Sequence, residues 1–211
     1  MTGLTRERAL IFRITHIDNV PWMLDHGVRC RSSDVFDPNY RNIGNPELIA
    51  RRTLRAVHIP PGGTLSDYVP FYFTPRSIML YNIKTGYNVP HVPNGKIVIL
   101  VSSLPKLVEL NIDFIFTDRH AYLSAAQFFN SLDDLGEIAW PILQAGDFRN
   151  DPENPEKKEK YQAEALVHGC LPVEALHGIV CHDAVAEEEL QRQLQRRNMV
   201  LKVTKLPKWY F

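Results

Sequence analysis

The stretch Asp67-Tyr-Val-Pro-Phe-Tyr-Phe-Thr-Pro-Arg-Ser-Ile-Met-Leu-Tyr81 decides how the rest of the chain is read. Tyrosine, valine, phenylalanine and threonine crowd positions 68 to 74, and these residue types fit a pleated, half-buried surface, so a strand is expected there. Pro75 cannot continue a ladder and starts a helical turn instead. Upstream, Leu10 to His16 is a second β-rich run, followed by a short helix capped by Asn19, with Pro21 in its first turn and Gly27 at its end. Further strands are expected at Arg55–Ile59, Lys96–Ser102, Phe114–Thr117, Ala163–His168, Gly178–His182 and Met199–Lys205, and the best amphipathic helix is Ala184–Arg197. Many strands with few long helices point to an α+β domain. No GxGxxG or Walker sequence occurs, so the common phosphate-cradling loops are absent.

Two stretches resist regular structure. Cys30 to Arg52 carries turn signals at Asp37-Pro-Asn and Gly44-Asn-Pro before a short helix from Pro46 to Arg52; Gly146 to Lys160 carries Asp-Pro and Asn-Pro steps and a lysine–glutamate run. Irregular segments of this length in a small domain are functional or disordered.

With 211 residues, 45% apolar and 23% charged, residues 1–211 are read as one domain. Nothing resembles a signal peptide and no apolar run approaches the ~20 residues that cross a bilayer, so no membrane association and a cytoplasmic address are expected. The cysteines at 30, 170 and 181 are odd in number and show no CxxC pairing, which argues against a disulfide framework or zinc site and for buried thiols. No HExxH or comparable ligand spacing occurs, so no metal is expected. Twenty-four basic residues offset 24 acidic ones, which disfavours a large duplex-binding surface while leaving room for a local groove: arginines crowd positions 29 to 55.

Three stretches taken together, Thr15-His-Ile-Asp-Asn-Val, the segment 67–81 and Lys160-Tyr-Gln-Ala-Glu-Ala-Leu-Val, resemble the DarT family of DNA ADP-ribosyltransferase toxins, distant relatives of the poly-ADP-ribose polymerases. The resemblance covers essentially the whole chain. It implies a split β-sheet ADP-ribosyltransferase core with short peripheral helices and NAD⁺ as ADP-ribose donor. It further implies thymidine in single-stranded DNA as acceptor, and an antitoxin partner of the DarG type carrying a macrodomain.

The residues then take candidate roles. Glu164, at the start of a β-run, is the candidate catalytic group, because a fixed carboxylate stabilises the oxocarbenium-like ribose that forms as the nicotinamide bond breaks; taken without the resemblance, such a residue reads first as an ordinary solvent-facing strand glutamate. Arg51 and Arg52 end the short helix; Arg51 is assigned to the catalytic carboxylate and Arg52 to the NAD⁺ diphosphate, though adjacent helical residues diverge by about 100° and only one is expected to point inward. By the resemblance His16 holds the adenosine ribose, with Thr15 and Asn19 beside it, and Tyr72, Thr74, Ser77, Met79 and Tyr81 line the nicotinamide pocket, Tyr81 stacking on the ring. Also by the resemblance, the loop before the catalytic strand presents DNA. There Arg149, Lys157, Lys158 and Lys160 are candidate phosphate contacts and Phe148 and Tyr161 candidate base stackers, with His120 also reaching the site. The same residues admit other readings: transfer to RNA, a terminal phosphate or protein, or a non-catalytic nucleotide-binding module.

Overall fold

β-Branched and aromatic residues, once paired, assemble one large sheet. The structure, a computed structural model, describes residues 3–211. In chain order its elements are β1 (Leu10–His16), α1 (Val20–His26), β2 (Val28–Arg29), α2 (Pro46–Arg52), β3 (Tyr68–Tyr72), α3 (Ile78–Thr85), β4 (Ile97–Ser103), α4 (Leu104–Glu109), β5 (Phe114–Thr117) and β6 (Phe128–Phe129). There follow α5 (Trp140–Ala145), α6 (Lys157–Lys160), β7 (Glu164–His168), β8 (Cys170–Leu171), β9 (Gly178–Cys181), α7 (Ala184–Arg196) and β10 (Val203–Lys205). Eight strands form a mixed sheet in the order β10-β9-β4-β1-β3-β7-β5-β6, and β2 pairs with β8 separately. The α+β expectation holds.

The sheet is held unevenly. β1 pairs with β4 along its whole length and β3 with β7 along theirs, yet β1 and β3 meet only at Phe12 and Tyr72. The two halves therefore splay apart between β1 and β3. Arg13 reaches across this gap, donating from Nη1 to the Pro70 carbonyl at 2.9 Å. β7 lies inside the sheet between β3 and β5, so both its faces are covered: Ala165 and Val167 join the main core, while Leu166 packs with Val57, Leu65, Tyr68 and Ile115 in a smaller one.

Several expectations need correction. Residues 55–59 form no strand; only Ala56 bridges to Thr64, because Pro60-Pro61 and Gly62-Gly63 turn the chain away before a ladder can extend. The last strand is shorter than 199–205, starting at Val203. Asn19 makes no capping bond to α1; His16 caps the single 3-10 turn before it by accepting from the Asp18 N–H. Gly27 ends α1 at φ +76°, where a side chain would strike Cys170 and Leu171. Of the cysteines only Cys181 is buried; Cys30 and Cys170 are half-exposed, both lying at the short β2–β8 ladder near the surface.

Candidate active site

Burial alone would push the Glu164 carboxyl up, but Arg52, His120 and the Ala121 N–H outweigh it and hold the group below its ordinary range, ionised although only 2% exposed. Arg52 Nη1 donates to both oxygens, at 3.3 and 3.0 Å. Oε1 also accepts from the Ala121 N–H at 3.0 Å and lies 3.3 Å from His120 Nδ1. The same Nδ1 accepts from the Tyr122 N–H at 3.2 Å, so His120 adjoins the carboxylate without a hydrogen bond to it. Oε1 is thus fully engaged, whereas Oε2 keeps lone pairs to offer.

Tyr72 is the register partner of Glu164 on β3. Burial and the adjacent carboxylate both push its phenol upward, so it stays protonated and can donate. The charges of Arg52 and Arg13 oppose that shift without reversing it. Arg13 Nε and Arg52 Nη2 are buried without a partner. Across the split, burial lowers the His16 basicity, and since Nδ1 accepts from Asp18 N–H at 3.1 Å, the neutral ring carries its proton on Nε2.

A family model described as ssDNA thymidine ADP-ribosyltransferase, DarT, matches residues 12–211. A DNA ADP-ribosyl transferase of Escherichia coli O127:H6 is 48% identical over 210 residues, 99% of this chain and 96% of that protein. The chain belongs to the DarT family. The structure of Thermus sp. 2.9 DarT in complex with ADP-ribosylated ssDNA superimposes with a TM-score of 0.90 at 35% identity, covering 97% of both chains. The same protein in complex with NAD⁺ gives a TM-score of 0.85 at 35% identity, over 97% of this chain and 98% of that one. A Thermosipho africanus protein described as a DNA ADP-ribosyl transferase–DNA ADP-ribosyl glycohydrolase fusion is 24% identical over 90% of this chain and 46% of its own length.

In this DarT-family chain the residues singled out from sequence do not all converge. Arg52, not Arg51, meets Glu164; Arg51 is exposed, about 100° round α2 from it. His120 lies against the carboxylate, so the DNA-facing assignment is corrected. Asn19 is buried with its amide engaged: Nδ2 donates to Thr15 Oγ1 and the Arg41 carbonyl, and Oδ1 accepts from Arg41 N–H, so Thr15 and Asn19 pin the first irregular segment. Ser77 spends its hydroxyl capping α3, and Thr74 accepts from the Arg76 N–H. Met79 is half-buried beside the core and Tyr81 is 41% exposed.

The second irregular segment is tied down by its own charges. Lys157 pairs with Asp147, Lys160 with Glu156, and Arg149 with Asp147, leaving Lys158 exposed at the surface. Tyr161 is buried with its hydroxyl donated to the Arg76 carbonyl, so it has no face for a base, contrary to expectation. Phe148 packs among Tyr81, Tyr161 and Phe211. Sequence reasoning missed Ala121, whose backbone N–H carries no side-chain signature. It also missed Arg13 and Arg119, the latter bridging Asp118 to Glu156 and Glu159 and so anchoring α6 to β5. Arg76 stood inside the decisive stretch; its guanidinium lies over the Phe211 ring and its Nε is buried unpaired. Among the described residues no cluster of three or more His, Cys, Asp or Glu is placed to hold a metal, and no helix is long and apolar enough to cross a membrane.

Proposed function

We propose that this chain uses NAD⁺ to transfer ADP-ribose to thymidine in single-stranded DNA, releasing nicotinamide, with Glu164 as the catalytic carboxylate. The observation that carries the reading is an ionised glutamate at the inner end of β7, fixed by Arg52 and the Ala121 N–H, with His120 adjoining it, beside a split in the sheet. Unpaired buried donors cost about 1–3 kcal/mol each, and a guanidinium fork suits phosphate oxygens, so Arg13 and Arg52 fit a diphosphate-bearing dinucleotide. His16 presents Nε2–H as a donor to a ribose hydroxyl.

Breaking the bond between nicotinamide and ribose builds positive charge on the sugar ring. Glu164 Oε2, which accepts only from Arg52, faces that charge; because the carboxylate is already oriented, no reorganisation accompanies the reaction. Arg52 keeps the carboxylate ionised, and the Ala121 N–H holds Oε1 so that Oε2 is the oxygen presented. Tyr72, kept protonated, donates rather than accepts near the reacting centre. The thymine nitrogen that attacks the ribose carbon gives up its proton as the new bond forms, and Glu164 is the nearest base to accept it.

The active unit is a single domain spanning residues 1–211, working in the cytoplasm, where NAD⁺ and single-stranded DNA coexist. A DarG-type macrodomain partner would remove the mark, a pairing supported by the fusion of the two activities in the Thermosipho protein. The test is mass spectrometry of a thymine-containing oligonucleotide, an RNA and a protein mixture, each incubated with NAD⁺. A mass gain of one ADP-ribose on the thymine strand is expected, forming far more slowly in Glu164→Gln; labelling confined to RNA or protein would overturn the acceptor.

A further inference from the structure

Immediately outside the Glu164 site lies a second concavity, a cavity of about 450 Å³ lined by Arg51, Leu54, Arg55, Tyr122, Leu123 and Ser124. Both of its walls continue from residues that touch the carboxylate: Arg51 precedes Arg52, and Tyr122 follows His120 and Ala121. We propose that this cavity is the subsite for a nucleotide flanking the acceptor thymidine, with Arg51 and Arg55 receiving a backbone phosphate and Leu54, Tyr122 and Leu123 receiving a base. The inference rests on the transferase reading above and adds to it a place where the strand is gripped.

Three observations converge on this occupant. The lining holds two arginines and no carboxylate, so its charge complements a phosphodiester, whereas the cationic groups of the 147–160 segment are mostly spent on their own acids. Arg55 donates from Nη2 to the Leu123 carbonyl at 3.1 Å, which pins its guanidinium to the cavity wall, while its Nε is buried with no partner. Leu54 is 86% exposed, an uncovered apolar side chain between two arginines, and Tyr122 supplies an aromatic face on the opposite wall. An exposed leucine and a tyrosine flanked by guanidinium groups match the alternation of flat base and charged phosphate in a single strand, where stacking and backbone contacts carry affinity. A volume of this size falls within the range of ~300–1,000 Å³ typical of small-ligand sites.

The test compares wild type with Arg55→Gln and Leu54→Asp on a single strand of about 12 nucleotides carrying one central thymine, within the usual span of single-strand sites. Both variants are expected to raise KM for the strand roughly 5- to 20-fold, one lost contact's worth, with KM for NAD⁺ unchanged. Arg55→Gln should also flatten the salt dependence of binding by about one phosphate's worth. Leu54 is at the surface, so Leu54→Asp folds normally and keeps the test decisive should Arg55→Gln disturb the turn. Unchanged KM for the strand in Leu54→Asp, or a parallel rise in KM for NAD⁺, overturns the subsite while wild-type labelling leaves the transferase reading standing. Wild type that labels no strand overturns both.

Discussion

At the scale of single residues the decisive quantity is the ionisation of Glu164. Its folded pKa is depressed because Arg52, His120 and the Ala121 N–H together outweigh the cost of burial. A depressed carboxyl pKa contributes stability that is present above the unfolded value, ordinarily 4.5, and disappears as pH falls from there through the lower folded value. Chemical denaturation of wild type and Glu164→Gln at pH 7 and at pH 3 should therefore show a stability gap that narrows in acid; a gap independent of pH would mean that the charge is not what holds the network. The same substitution should lower kcat by about 10²–10³-fold, the usual cost of removing one preorganised electrostatic partner, with the folded state retained in circular dichroism. Arg52→Ala leaves the buried carboxylate without its main counter-charge, and removal of one partner from a buried pair typically costs about 3–5 kcal/mol, so this variant should melt well below Arg51→Ala. Equal melting temperatures would return the two arginines to equivalence. From sequence, a carboxylate on a β-run and a pair of helix-end arginines were legible as residue types. Which arginine points inward was marked only faintly: Leu48 and Ile49, one turn before Arg52, share its half-buried face while Arg51 is exposed, but two apolar residues in a helix with none fully buried are a weak signal of phase. His120 was read toward DNA for a related reason, its contact with Glu164 depending on a turn after β5 rather than on any local pattern.

At the scale of elements, the site depends on pieces with little core of their own. α2 has no buried residue and is stabilised at its start by Asn45, whose side chain accepts from the Leu48 N–H at 3.1 Å. Loss of such a cap costs about 1 kcal/mol, a large share of the stability of a seven-residue helix. Asn45→Ala is therefore expected to raise hydrogen exchange across 46–52 and to reduce turnover, though position 45 touches none of the reacting groups. Unaltered exchange would show that the Arg52–Glu164 pair alone holds the helix. The strands were largely legible because β-rich runs such as Leu10–His16 and Phe114–Thr117 sit between clear breakers. The failed strand at 55–59 has suitable residues but no partner, since the Pro60 to Gly63 turn returns the chain to a single bridge at Thr64. Pairing is a property of two segments, and a single-segment pattern cannot report it. Asn19 failed in the opposite direction: its type and position suit a cap, but a tertiary contact with the Arg41 backbone claimed the amide first.

At the scale of the whole molecule, charge neutrality has a consequence for how DNA is held. A basic protein grips single strands through many phosphate contacts and releases many counterions, giving a binding constant that falls steeply with salt, by about 0.7 of a power per phosphate. Here the chain carries 24 basic and 24 acidic residues, and in the segment before β7 three cations, Arg149, Lys157 and Lys160, already face carboxylates. Of the cations that form no ion pair, Arg51 and Arg55 at the outer cavity and Lys158 on α6 are the ones placed to meet the strand. Fluorescence anisotropy of a labelled strand across a salt series should consequently give a shallow slope, roughly −1.5 to −2 for two or three phosphates. A slope near −4 or beyond would require the lysines of 157–160 to leave Asp147 and Glu156 and turn to the DNA. The role of Glu164 would be unaffected by that result, because the carboxylate is fixed from the β5 and α2 sides; the segment 147–160 would then have to be a clamp that exchanges internal ion pairs for phosphates when the strand arrives.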